Sequence, residues 1–326
     1  MNKIKLVTLI IILLSSTIIN AKLITQEEFI DNMVSKHNFG KLYLTQLLGK
    51  AKIKSSILKI MFRPSAGKTK RKPKPWHKYR SIFVNTKKIK AGVKFWNNNA
   101  RTLQRAETIF GVPAKIIVAI IGVETIYGKN KGNFRVLDAL TTLAFHYPRR
   151  ADYFREELES YLILTHDEGI DPLKQKGSYA GAMGIGQFMP SSFRNYAIDF
   201  DGDNKRNIWT NNADAIGSVA NYFQKHGWKT GKPVATATKI RTNAIKKLLA
   251  LDFAPKYTLQ QLKQWGLLYF GKEPNYTNGM VIDLETKLGT AYWLGFQNYY
   301  VITRYNRSKH YAMAVYHLAQ EIENAK

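Results

Sequence analysis

Glu124 stands where an acid is out of place. The stretch Pro113-Ala-Lys-Ile-Ile-Val-Ala-Ile-Ile-Gly-Val-Glu-Thr-Ile-Tyr-Gly128 reads as one helix that the rest of the chain must enclose. Pro113 suits its first turn, and Gly128 suits the left-handed stop after its last. At helical spacing Ile117, Ile120 and Ile121 share a face with Glu124, so the carboxyl emerges from an apolar stripe. It also falls in the last turn, where the negative end of the helix dipole disfavours an anion. Both effects raise its pKa, toward a carboxyl that is still protonated near neutrality and can serve as a general acid. The plainer alternative is a Glu at the rim of a core helix, its stem buried and its head in water.

A chain of 326 residues that is 45% hydrophobic and 12% aromatic can bury a full core, as one large or two to three small domains. It has no cysteine, which excludes structural disulfides, thiolate metal sites, a Cys nucleophile and lipid attachment through an N-terminal Cys. A formal net charge of +27 calls for an anionic partner or surface: nucleic acid, acidic headgroups or an acidic wall polymer. The first residues choose among these. Lys3 and Lys5 precede an apolar run from Leu6 to Leu14, then small and polar residues and a cleavage site after Ala21. The apolar run is shorter than the roughly 20 residues a spanning helix needs. Residues 1–21 therefore read as a signal peptide rather than an uncleaved anchor. The expected mature protein is soluble and periplasmic, with no nucleic acid as its natural partner.

Residues 24–62 carry amphipathic helical spacing, with Phe29, Met33, Leu44 and Leu47 facing inward. Residues 64–94 are dense in Lys, Arg and Pro, which breaks any long helix, and the run Lys68–Lys74 reads as a solvated loop or a polyanion-steering surface. Helices dominate from Ala91 to Tyr127, continue from Arg149 to His166 and return from Asp214 to Lys225. After Lys232 the texture changes to short strands near 234–238, 267–270, 279–284 and 292–296, with helical runs at 243–251 and 258–265. A closing helix follows, from Ser308 to Glu323.

Two further constellations carry chemistry. Residues 176–193 hold four glycines and several small residues, letting a backbone approach another body closely, yet none of the phosphate-loop spacings applies. Gln187, Phe188 and Met189 within it look like a groove wall for a sugar; a tight helix crossing is the alternative. In Asp199-Phe-Asp-Gly-Asp-Asn-Lys205, three carboxylates alternate as at the start of a calcium loop. Asp199, Asp201 and Asp203 would supply side chains and Lys205 a carbonyl. Asn204 stands where Gly is usual, and Thr210 cannot clamp an ion as Glu does, so Asp214 is the candidate for the missing oxygen. An Asp-rich turn without an ion is the alternative.

Together Val123–Gly128, Phe145–Arg150, Gly177–Ser191, the Asp199–Asp203 loop and Tyr305-Asn306 resemble the lytic murein transglycosylase B family, in order from about Thr25 onward. The resemblance implies a mainly α, α+β protein. Its lysozyme-like helical catalytic core, 99–231, would include the calcium loop at 199–214. An N-terminal helical region (22–98) would precede the core, a small inserted β-containing module (232–303) would follow it, and 304–326 would close it. It implies peptidoglycan glycan strands as substrate, cut between N-acetylmuramic acid and N-acetylglucosamine to leave 1,6-anhydro ends. Glu124 matches the single catalytic acid/base, with no cofactor needed for catalysis and calcium in a structural role. Ser178 and Gln187 match groove residues that position the acetamido group. Arg149 and Arg150 match a basic pair facing the anionic peptide stem. Phe188, Tyr153, Tyr222, Tyr305, Asn306 and Tyr311 match other groove positions. Wall synthases or division proteins are the expected protein partners, and monomer the expected state.

Two alternatives, a muramidase and a non-catalytic wall-binding protein, turn on specific residues. A hydrolytic muramidase needs a second carboxylate across the sugar; Asp138 and Asp152 are available but lie in undistinguished contexts. A non-catalytic wall-binding protein would not need Glu124. A nucleic-acid binder explains the charge and leaves the acid and the glycine loop unexplained.

Overall fold

The computed structural model describes residues 24–62 and 74–326; the expected signal peptide and most of the 68–74 basic run lie outside the described residues. Three short helices open the chain: α1 (Gln26–His37), α2 (Lys41–Gly49) and α3 (Ser55–Met61). Thr25 and Glu28 start α1 by capping each other's backbone, and Phe29, Met33, Leu44 and Leu47 are all buried. The described part of the Lys/Pro-rich stretch is helical from its last proline onward. It holds α4 (Trp76–Phe83), and α5 (Thr86–Asn98) begins five residues before Ala91. Its prolines do not interrupt these helices, because Pro75 stands at the N-cap of α4 and the Asn85 side chain caps α5 by accepting from Lys88 N.

Next come α6 (Ala100–Phe110), α7 (Ala114–Thr125), β1 (Phe134–Arg135), α8 (Val136–His146) and, after a single 3-10 turn, α9 (Ala151–Asp167). β2 (Lys176–Gly177), α10 (Pro190–Tyr196) and α11 (Asn212–Lys225) complete the central helical body. α7 is its axis. Ile116 to Ile121 are essentially inaccessible, as expected of a helix apolar all round, and α5, α6, α11 and α15 pack against it.

A second, smaller core forms after residue 234. β3 (Ala235–Ile240), α12 (Ile245–Leu249), β4 (Tyr257–Thr258), α13 (Leu259–Gln264), β5 (Leu267–Leu268), β6 (Asn278–Thr286) and β7 (Gly289–Gly295) build an antiparallel sheet in the order β4-β6-β7-β3-β5. Leu248, Leu259, Leu262 and Leu294 fill its interior. α14 (Gln297–Tyr305) and α15 (Lys309–Asn324) then return to the helical body, where α15 lies on α7, α4 and α5. Among the described residues no single helix is long and apolar enough to cross a membrane.

α7 ends earlier than its sequence predicts. The helix stops at Thr125, and Ile126, Tyr127 and Gly128 all take left-handed backbone angles, where only a glycine was expected. Thr125 enforces this turn. Its hydroxyl donates to Ile185 O (2.8 Å) and accepts from Gly128 N (2.9 Å), while its own carbonyl accepts from Asn130 N (2.8 Å). A β-branched residue in that region costs on the order of 1–3 kcal/mol and persists only where its surroundings over-determine it.

Candidate active site

That strained turn delivers two side chains. Tyr127 folds back beneath α7, where Gly122 and Gly92 make room for it: a Cβ on either would meet its hydroxyl at 2.4 or 2.6 Å. The hydroxyl donates to Lys88 O at 3.0 Å, fastening α5 to the end of α7. Glu124 emerges one residue before the turn. Burial pushes its carboxyl from 4.5 up to about 7, partly offset by a hydrogen bond from Tyr311 and by the charge of Lys88. Tyr311 Oη donates to Glu124 Oε1 at 2.5 Å. Ser308 fixes that tyrosine by capping α15 and accepting from Tyr311 N.

Two neighbours of Glu124 stand out only in the structure. Lys88, within the basic stretch 64–94, is only 9% exposed, with its ammonium 4.6 Å over the Phe83 ring. Its sequence signal is its spacing with Gly92 and Phe95, at i, i+4 and i+7 on the buried face of α5. Tyr79, on α4, is raised in pKa by burial and by the charge of Glu124. Nothing local in the sequence distinguishes it from a packing aromatic.

The glycine loop forms the adjoining wall. It is not a helix crossing. Phe134–Arg135 pairs with Lys176–Gly177, and bridges from Met183 to Gly177 and Phe188 fold the loop on itself. A Cβ on Gly177 would lie 2.3 Å from Ala182 O, so side chains are excluded by backbone. Ser178 Oγ accepts from Ala182 N (3.0 Å), and Gln187, itself left-handed, donates from Nε2 to Gly184 O (2.9 Å) and Lys131 O (3.2 Å). Tyr305 Oη donates to Gly186 O at 2.5 Å, tying the loop to α14.

Phe188 and Tyr222 are buried rather than open to a groove. They pack with Tyr305 in one aromatic cluster, and the Tyr222 hydroxyl donates to Arg304 O. Asn306 is exposed just beyond α14. Arg149, Arg150 and Tyr153 gather at the start of α9, with Arg150 4.1 Å over the Tyr153 ring and Arg149 exposed. Glu157 beneath them is spent on Ser191 N and Oγ and acts on Tyr153, whose pKa burial pushes up to about 12.

Both alternative carboxylates are committed to other partners. Asp138 is buried in ion pairs with Arg135 and Lys54 and accepts from Lys52 N, and Asp152 pairs with Arg155 at the surface. Asp199, Asp201, Asp203 and Asp214 form a separate cluster, each placing a carboxylate oxygen within 4.8 Å of the others. Asn204 is left-handed at φ 66°, the turn such a loop requires. Asp214, fully buried, accepts from Phe200 N and Asn207 N (2.7 Å each) and so anchors both ends of the loop.

A lysozyme-like helical body, with one carboxyl held near neutrality beside a glycine-built wall, is the architecture of a lytic transglycosylase, an enzyme that cleaves peptidoglycan. The chain belongs to the transglycosylase SLT domain family, which matches residues 24–320. It is 45% identical over 304 residues to membrane-bound lytic murein transglycosylase B of Escherichia coli K12, covering 92% of this chain and 83% of that protein. Among solved structures, soluble lytic transglycosylase SltB1 from Pseudomonas aeruginosa superimposes with a TM-score of 0.87 at 46% identity, covering 92% of this chain and 98% of that one. The E. coli lytic transglycosylase Slt35 in complex with calcium does so at 0.81 and 44%, covering 92% and 93%.

Proposed function

We propose that Glu124 is the single acid/base of a non-hydrolytic cut. The observation that carries this is the setting of Glu124: its carboxyl accepts from Tyr311 Oη and is raised to about 7 by burial, while the alternative carboxylates Asp138 and Asp152 are held in ion pairs elsewhere. In its protonated form Glu124 gives its proton to the glycosidic oxygen between N-acetylmuramic acid and N-acetylglucosamine. As a carboxylate, steadied by Tyr311 and Lys88, it then takes the proton of the muramyl O6 hydroxyl. That oxygen closes on C1, and a 1,6-anhydro end leaves without water. Ser178 and Gln187 position the acetamido side of the sugar, and Arg149 and Arg150 offer guanidinium groups to the anionic stem. Phe188, Tyr222 and Tyr305 act behind the wall, as the packing that holds its shape; Tyr153 and Asn306 remain candidate groove contacts.

The Asp cluster supports a calcium site. Four hard oxygen donors converge on a loop whose turn residues suit it, with Asp199, Asp201, Asp203, Asp214 and the Lys205 carbonyl as ligands. The charge of the chain and its substrate support a periplasmic enzyme working on the wall. The test is mass spectrometry of peptidoglycan treated with the protein and with Glu124→Gln. Anhydro-muropeptides lost in the variant support this reading, and reducing ends heavier by one water would overturn it.

A further inference from the structure

The sheet beyond residue 234 has an edge left open along its middle. Phe296 N donates to Val234 O, and the register pairs Thr236 with Leu294 and Thr238 with Tyr292. Alternate residues therefore bond to β7, while Ala237 and Lys239 turn their N–H and C=O groups to the opposite side. On that side β5 pairs only with Lys239 and Ile240 and then ends. Beyond Leu268 the chain leaves the edge: Tyr269 turns into the small core, and Gly271 folds over its hydroxyl, where a Cβ would stand only 2.1 Å away. Ala237 is exposed, and among the described residues its outward donor and acceptor have no partner. A groove of about 460 Å³ is left between 236–239 and 268–271. Phe270, 92% exposed, stands at its side.

We infer that this groove is a docking site for an extended acidic segment of another protein, which adds to β3 as a strand where β5 breaks off. The open position is Ala237, whose outward N–H and C=O can take one pair of main-chain hydrogen bonds from an extended chain laid beside β3. Phe270 supplies an apolar contact for a side chain of that strand. Charge selects its sign. Residues 232–303 hold nine Lys and Arg against four Asp and Glu. Lys239 lines the groove, and the Lys263 ammonium lies 5.7 Å over the Tyr269 ring beside it. Lysine on an edge repels like-charged strands. A second copy of a chain carrying +27 is therefore disfavoured and an acidic partner favoured.

The probe is a short labelled peptide alternating valine with glutamate, titrated with the protein and followed by fluorescence anisotropy. A matched peptide with proline in place of alternate valines keeps the charge and loses the N–H donors. The first peptide binds and the second does not. Phe270→Ser and Lys239→Glu, both at exposed positions, each weaken binding by about tenfold and leave muropeptide release unchanged. Absence of binding, equal binding of the proline peptide, or undiminished affinity in Phe270→Ser overturns the inference. So does self-association abolished by Phe270→Ser, which would assign the edge to a second copy.

Discussion

At the scale of single residues, the molecule holds Glu124 in a state its folded chain tolerates poorly once ionised. Its ordinary value is 4.5 and its folded value about 7. The native state therefore keeps a proton that the unfolded chain has released, and stability falls as pH rises from 4.5 through 7. A shift of that size corresponds to roughly 3 kcal/mol. Glu124→Gln should lose activity by on the order of a hundred- to ten-thousandfold. The same variant should be more stable than the parent at pH 8 by up to about 3 kcal/mol and match it near pH 4, as read from denaturant midpoints. Tyr311→Phe removes the donor to Glu124 Oε1. A hydrogen bond to a charged group contributes about 1.5–3 kcal/mol, so the alkaline limb of the pH–rate profile should move up by roughly one to two units. An unmoved limb would mean that Tyr311 only packs there.

The elements show which parts of this were readable beforehand. Two helix starts readable in the chain, Pro113 ahead of α7 and Ser308 ahead of the closing helix, are kept by the structure. The strands after residue 234 were legible from short β-branched and aromatic runs. The end of α7 was not, because Thr125 sets it through Ile185, 60 residues away. The apolar setting of Glu124 followed from period alone, whereas its neighbours Lys88 and Tyr79 are brought in by packing that no local pattern encodes. Gly92 illustrates this. It reads as a weak helix residue, yet a Cβ there would sit 2.6 Å from both Ile322 Cδ1 and the Tyr127 hydroxyl. Gly92→Ala should destabilise by about 1–3 kcal/mol in urea titration, through overpacking where α5, α7 and α15 meet. The Asp loop gives a second check. Calcium at a hundredfold excess over its dissociation constant should add about 2.7 kcal/mol, seen as a raised Tm that chelator reverses. Asp203→Asn, at an exposed position, should blunt that gain without unfolding the protein in calcium-free buffer.

For the whole molecule, the excess of cations sets how it meets an anionic polymer. Raising ionic strength from about 0.1 M to about 1 M shortens the screening length from about 10 Å to about 3 Å. Retention on purified wall sacculi should fall steeply over that range, measured by sedimentation of the bound fraction. If retention is insensitive to salt, charge is not what holds the enzyme on the wall. The long-range tie between Tyr311 and Glu124, 187 positions apart, has a consequence for safety. On the proposed role of Glu124, until residues 305–311 dock against α7 and the glycine loop its carboxyl faces water as an ordinary carboxylate and has no proton to give at neutral pH. A chain that is still threading, half-collapsed or misassembled is therefore harmless to the glycan around it. The capacity to break the wall arises only with the finished fold, so the fold serves as its own licence to cut.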